Sequence, residues 1–245
     1  MNLDRPEFSE IWVYLSGNPL FALILTLLAY QIGLSIHLFF GRSPLANPVV
    51  LAVIIVASTI GLIDMPYASY FEGAQFVHFL LGTATVSLAI PIYRGFAELK
   101  TRGVQLLITL CVGGLTSIVS AVGLGMLFKI DPLIAGGFYA KSVSTPIAMG
   151  VAQQIGASPT LTAVYVVSTG MLGAMFATLL LNTLGIRAWW IRGFSAGVAA
   201  HGLGVSRAFA VSAEAGAYAS LGMGMHAILG AVFIPFLYRW AAGWL

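Results

Sequence analysis

The chain has 245 residues, of which 59% are hydrophobic and only 8% are charged, and its net charge is +3. Soluble domains carry about 25% charged residues, so the composition excludes an ordinary soluble domain and is typical of a polytopic membrane protein. The small positive charge indicates basic loops at the inner face of a membrane, and we expect no nucleic-acid partner.

Apolar runs of about 20 residues, the length that crosses a bilayer, divide the chain into membrane segments. We predict an interfacial N-terminal segment at 1–17 and a single transmembrane domain over 18–245. The domain is expected to be all-α, with about six full spans, two broken or re-entrant segments, and an inverted repeat as an open alternative. The predicted full spans are Leu20–Phe40, Leu45–Ile63, 74–93, Val104–Phe128, Leu161–Leu184 and Tyr218–Tyr238, and the broken segments are 133–155 and 193–212.

The distribution of basic residues predicts the orientation of these spans. The loop at 94–102 is the most basic and is therefore expected in the cytoplasm. If residues 133–155 crossed the membrane completely, Arg187 and Arg192 would face outward, against the positive-inside rule. A re-entrant hairpin over 133–155 returns both arginines to the cytoplasm, although Arg239 then lies outside.

The first broken segment has a cluster of polar residues in the middle of an apolar run. A proline there interrupts a helix where lipid cannot satisfy the exposed backbone. The free N–H groups at such a break, together with the helix dipole, attract an anion. The candidate substrate-binding residues at this break are Lys141, Ser142, Ser144, Thr145 and Pro146.

The second broken segment adds a similar cluster about sixty residues later, and we expect the two breaks to face each other. Its candidate residues are His201, Gly202, Gly204, Ser206 and Arg207. All eight acidic residues fall in or near predicted loops, whereas a cation site would need carboxylates in the spans. The two breaks together therefore favour a small carboxylate as the ligand.

Simpler interpretations stay open for each of these residues. Lys141 could extend its ammonium to the membrane surface, His201 could be a hydrogen-bonded packing residue, and Pro146 could be a plain helix kink. Asn47, which precedes Pro48, could add a polar group to the same site or could cap a helix.

No motif in the sequence indicates catalysis or a cofactor. There is no Cys/His metal spacing, no nucleophile elbow and no phosphate-binding loop, and the single cysteine, Cys111, cannot form an internal disulfide. We therefore expect a protein that is not an enzyme and that has no cofactor and no bound metal.

The polar cluster of the first break resembles a known family motif. Residues Lys141–Ala148 read Lys-Ser-Val-Ser-Thr-Pro-Ile-Ala, which is similar to the Lys-Ser-Val-Thr-Thr-Pro-Ile-Ala motif of the LrgB/CidB membrane proteins. The resemblance extends to Asn47-Pro48, to Pro91-Ile92-Tyr93 and to Ala200–Gly204, in the same order and spacing. It covers the chain from about Leu20 to Leu237.

This resemblance implies two competing functions. Bacterial members are described as holin/antiholin-like proteins that modulate murein hydrolase export and autolysis, often beside a small LrgA/CidA-type membrane partner. The plastid relative transports glycolate and glycerate, and some bacterial members are linked to pyruvate uptake. Either function implies a multi-pass protein of the inner (plasma) membrane in contact with the lipid bilayer, and we expect a homodimer or higher homo-oligomer.

The sequence departs from the family pattern near the second break. Ala200 stands where the family usually has Ser, Val205 stands where it usually has Thr, and Glu214 is displaced by one position. These changes affect the expected substrate more than the expected fold.

Overall fold

The computed structural model describes residues 19–43, 46–87, 90, 93 and 95–242. Within this part the chain forms helices and turns with no strand, which confirms the all-α prediction. By its internal contacts the chain divides into two compact units, 1–83 and 84–245. The helices are α1 (Pro19–Phe39), α2 (Pro48–Leu62), α3 (Tyr67–Ser87), α4 (Phe96–Leu127), α5 (Pro132–Ala135), a 3₁₀ helix (Gly136–Ala140), α6 (Thr145–Gln154), α7 (Pro159–Thr183), α8 (Trp189–Val211) and α9 (Ala213–Ala242).

Four of the described helices, α1, α4, α7 and α9, are long and apolar enough to cross a membrane. The apolar helix α2 is shorter, with 15 residues, and α3 has 21 residues. The helices α1, α4, α7 and α9 correspond to four of the six predicted full spans. The helices α2 and α3 lie at the other two positions, and a full crossing by either of them stays a prediction. The predicted interfacial segment at 1–17 lies outside the described residues, and the single domain over 18–245 stays a prediction.

In the first unit, small and polar residues connect α1 to its neighbours. Gly33 leaves room for the carbonyl of Pro48, which a Cβ at that position would approach to 2.6 Å. The Asn47 side chain accepts from two backbone N–H groups of α2 at 2.9 and 3.3 Å and so serves as its N-cap. The hydroxyls of Thr26 and Tyr70 lie 2.7 Å apart, which links α1 to α3.

Residues 132–154, which we call the first hairpin, enter the second unit and return to the same end. The chain descends through α5 and the 3₁₀ helix, turns at 141–144, and runs back through α6. Ala157, which follows α6, packs against Gly136 at the start of the 3₁₀ helix. With 10 residues, α6 is about 15 Å long, half the thickness of the hydrocarbon core, so this segment is re-entrant.

Residues 189–211, which we call the second hairpin, also turn back on themselves. The reversal occurs at His201, whose φ of 40° and ψ of −130° interrupt α8. On the returning arm, Gly204 lies against the carbonyl of Ala196 on the entering arm, where no Cβ would fit. Such a φ at a residue other than glycine costs about 1–3 kcal/mol, and it persists only where surrounding structure imposes it.

The two hairpins enter from opposite ends of the second unit. The first begins beside the C-terminal end of α4, where the ring of Phe138 contacts Gly125. The second begins beside the N-terminal end of α4, where the guanidinium of Arg102 lies 4.7 Å from the ring of Trp190 and donates to the Tyr218 hydroxyl at 3.2 Å. Lys100 and Arg102, in the first two turns of α4, and Arg187, which precedes α8, therefore share one end, as the positive-inside argument requires.

The second unit thus contains the same order of elements twice, with the two hairpins entering from opposite ends. Residues 132–183 form a hairpin followed by the long helix α7, and residues 189–242 form a hairpin followed by the long helix α9. Inverted repeats with broken helices are typical of secondary transporters, in which the breaks meet near the bilayer midplane.

The re-entrant first hairpin predicts which ends of the helices are accessible from outside the cell. In a Cys111→Ser background, a membrane-impermeant maleimide should label the Lys129→Cys variant in intact cells and the Arg187→Cys variant only after permeabilisation. Both residues are exposed in the structure. Labelling of both variants in intact cells would mean that residues 132–154 cross the membrane completely.

Candidate functional site

A cavity of about 420 Å³ lies between the two hairpins and the long helices α4 and α7. The first hairpin contributes Lys141, and the second contributes residues from its entering arm. Lys141 at the first break and the entering arm of the second hairpin therefore line one cavity, but the second break, at His201, does not line it. The lining residues are Thr109, Gly113 and Ser117 of α4, Lys141, Thr169 and Gly173 of α7, and Ser195, Val198 and Ala199 of α8.

Lys141 supplies the positive charge of this cavity. Its ammonium donates one hydrogen bond to the Ser117 hydroxyl at 3.0 Å, and it makes no ion pair with a described residue. Among the described residues, none that lines the cavity is acidic. An ammonium has three donors, so two remain available to a ligand.

The ammonium lies deep within the helical bundle. Ser117 is ten residues before Leu127, the end of α4, which places it about 15 Å from that end. The hydrocarbon core is about 30 Å thick, so Lys141 donates its hydrogen bond near the middle of the bilayer. This position does not match the alternative that Lys141 extends to the membrane surface.

Hydroxyl groups from three helices line the same cavity as the ammonium. Thr109 and Ser117 lie on one face of α4, eight positions apart with Gly113 between them, and Thr169 and Ser195 face them from α7 and α8. Sequence reasoning missed these residues because Ser and Thr in a membrane helix usually bond to their own backbone, as Thr109 does at 2.8 Å. The spacing of small and hydroxyl residues at i, i+4 and i+8 is the signal that could have identified them.

The tip of the first hairpin, residues 141–144, leads directly into a helix N-terminus. Ser144 is the N-cap of α6, with Pro146 in the first turn, but its side chain makes no capping hydrogen bond. The hydroxyl is buried, with the residue 8% exposed, and has no hydrogen-bond partner among the described residues. Ser142 is also buried, and Thr145 is half-buried. The break predicted at this cluster is therefore present, with a hydroxyl available beside the N–H groups of α6.

The tip of the second hairpin, His201, is held by a neighbouring helix. Its Nε2 donates to the carbonyl of Val166 on α7 at 2.9 Å, and the residue is buried. Gly170 of α7 leaves the space that the imidazole occupies. His201 does not line the cavity; it fixes the place where the backbone reverses.

The other predicted site residues lie away from the cavity. Arg207 lines a separate small pocket that also contains Arg192. Gly204 packs between the two arms of the second hairpin, while Gly202 and Ser206 are exposed. Asn47 belongs to the first unit, where it caps α2. A role of these residues in binding substrate stays a prediction.

His226 of α9 is a further buried polar residue near the cavity. Its Nδ1 donates to the carbonyl of Val198 at 2.9 Å, and Val198 lines the cavity. This histidine stands singly in an apolar run of the sequence. Its partner lies 28 positions earlier in the chain, so no local pattern indicates the contact.

Comparison with known proteins identifies the family. A sequence profile of the LrgB-like family matches residues 26–240. The chain belongs to the LrgB-like family. It is 32% identical over 216 residues to uncharacterized protein YwbG of Bacillus subtilis strain 168, an alignment that covers 88% of this chain and 96% of that protein. It is 25% identical over 215 residues to holin-like protein CidB of Staphylococcus epidermidis, with 88% and 93% covered. No solved structure matches the chain.

Membership of the LrgB-like family agrees with the resemblance inferred from the motif at 141–148. Together with the four long apolar helices, it shows that this LrgB-like chain is a membrane protein. Among its described residues no group of three or more His, Cys, Asp or Glu side chains is placed to hold a metal ion.

The contact between α7 and the tip of the second hairpin predicts an unequal effect of two glycine substitutions. The Gly170→Ala variant would place a methyl group against the His201 imidazole, and such overpacking typically costs about 1–3 kcal/mol. We expect a decrease of that size in the free energy of unfolding in detergent, measured by denaturant titration.

The matched control is Gly123→Ala in α4, where nothing lies within 4 Å of the added Cβ. Alanine is a better helix former than glycine by up to about 1 kcal/mol, so this variant should be as stable as the parent or more so. Equal destabilisation by both substitutions would contradict the assigned packing of His201 on α7.

Proposed function

We propose that this protein is a secondary carrier for small monocarboxylates such as glycolate, glycerate, lactate or pyruvate, and that it is not an enzyme. The observation that supports this most is the Lys141 ammonium, which faces a cavity between two helical hairpins without an acidic partner among the described residues. We further propose that the protein resides in the inner (plasma) membrane as a multi-pass homodimer or higher homo-oligomer.

The sign of the charge favours an anionic ligand. A lysine at the centre of a membrane helix costs about 2.5–3.5 kcal/mol on insertion scales, and an ion pair with a bound carboxylate would offset part of that cost. The described residues that line the cavity offer one ammonium and several hydroxyls but no acidic side chain. A cation would therefore be repelled, and a second carboxylate on the ligand would have no partner from this set.

The lining also favours a small polar anion. The cavity volume is about 420 Å³, which lies at the small end of the range for small-molecule sites. Hydroxyls of Ser117, Thr169 and Ser195 can hydrogen-bond a hydroxyl or keto oxygen beside the carboxylate, while Val198 and Ala199 suit a short carbon chain.

The fold supports transport better than a static binding role. In carriers with inverted repeats, one repeat moves against the other around a central site, so that the site opens to each side in turn. The hairpins at 132–154 and 189–211 enter from opposite ends, as this mechanism requires.

A second candidate function comes from the relatives. The Staphylococcus epidermidis protein is named holin-like protein CidB, which favours a holin/antiholin-like regulator of murein hydrolase export and autolysis. In that case the chain would act through oligomeric assembly with a small LrgA/CidA-type partner. The cavity and its ammonium would then have no substrate.

Substitution of Lys141 tests the carrier in proteoliposomes that contain the purified protein. Labelled glycolate, lactate or pyruvate should enter faster than in empty liposomes, and the Lys141→Gln variant should lose at least about 90% of this uptake, since a lost charged hydrogen bond costs about 1.5–3 kcal/mol. The matched control is Lys129→Gln, which removes an exposed lysine in a turn and should retain the parent rate.

A fluorescent dye trapped in the same vesicles distinguishes the two functions. A carrier retains the dye during uptake, whereas a holin-like assembly releases it. Dye release from the parent, or equal uptake by the parent and the Lys141→Gln variant, would contradict the carrier.

A further inference from the structure

We propose that His226 is a positioning residue that holds the entering arm of the second hairpin in place and so sets the wall of the cavity opposite Lys141. The expected effect on transport rests on the proposed carrier function. The role of His226 in holding the hairpin does not depend on that function.

The break at His201 creates the need for such a residue. The last carbonyls of a helix have no partner within that helix, and an unsatisfied carbonyl in a membrane interior costs several kcal/mol. Val198 lies in the last turn before His201, where the dihedrals leave the helical region. Its carbonyl accepts from Nδ1 of His226 at 2.9 Å.

This hydrogen bond acts on the cavity directly. Val198 is itself a lining residue, and Ser195 and Ala199 lie on the same face of the entering arm. A displacement of Val198 therefore moves that entire wall relative to Lys141. His226 reaches the arm from α9.

The imidazole has little freedom to move. The residue is 6% exposed, and a Cβ at Gly114 of α4 would lie 3.2 Å from its Nε2. Gly113, the next residue on α4, lines the cavity and packs on the side chain of Val198. Thus α4 confines the ring while Nδ1 fixes the hairpin, and because a carbonyl only accepts, Nδ1 must carry the proton.

Substitutions at His226 separate a positioning role from simple core packing. The His226→Asn variant places an amide donor close to the position of Nδ1, whereas His226→Leu keeps an apolar volume without a donor. His226→Gln puts its amide near Nε2 instead, out of reach of Val198. Because it lacks a donor to the Val198 carbonyl, it serves as the donor-free variant should the leucine variant fail to fold.

The first readout needs no transport. In a Cys111→Ser, Ala199→Cys background, the rate of thiol alkylation reports the position of the cavity wall, because Ala199 is exposed and lines the cavity. We expect the His226→Leu or His226→Gln variant to change this rate about fivefold or more, and His226→Asn to keep it within about twofold of the parent.

The second readout is uptake in proteoliposomes. A displaced wall should raise KM for the labelled acid about fivefold or more with Vmax nearly unchanged, and His226→Asn should restore the parent KM. A packing role would instead lower the amount of folded carrier, and therefore Vmax, with KM unchanged.

The outcomes of the two readouts are distinguishable. An alkylation rate that is the same in all variants, or an asparagine variant as altered as the donor-free variant, would overturn the role of His226. The expected alkylation pattern in a protein that takes up no acid would leave the positioning role in place and reject the carrier function alone.

Discussion

A helix that is broken inside a bilayer leaves backbone groups that lipid cannot satisfy, and this constraint explains most of the second unit. Both breaks are enclosed by long helices. In the second hairpin, the His201 imidazole donates to the carbonyl of Val166 on α7, and the His226 imidazole of α9 donates to the carbonyl of Val198, both at 2.9 Å. Two of the long helices thus supply partners at the second break.

Enclosure of the breaks brings the polar residues together. A lysine and several hydroxyls occupy a space that is about 15 Å from the nearer end of α4 by helix rise, while the outer faces of the spans carry exposed leucines, valines and phenylalanines. Polar side chains are therefore concentrated where protein replaces lipid. Ionisable residues within membrane proteins almost always face the interior of the helical bundle in this way.

Much of this fold could be predicted from the sequence. Pro146 and its polar neighbours mark the first break, and the positive-inside rule favours a re-entrant first hairpin because that places Arg187 and Arg192 at the end of Arg102. The observed tip at 141–144 precedes the proline by two residues, since proline is accommodated within the first turn of α6.

The composition of the site was harder to predict. Arg207 is close to His201 in sequence, but six helical residues displace it by about 9 Å along the returning arm, away from the cavity. Ser117, Thr169 and Ser195 face the cavity only because of how α4, α7 and α8 are rotated, which is decided by tertiary packing. The contact of His226 with Val198 likewise depends on a helix that follows much later in the chain.

The central claim is that a carboxylate binds to Lys141 between the two hairpins. The most direct test is an experimental structure of the protein saturated with lactate, compared with one of the Lys141→Gln variant under the same conditions. Our account predicts density for a carboxylate about 3 Å from the Lys141 ammonium, and none in the variant. Carboxylate density at another place, or identical density in both structures, would contradict it.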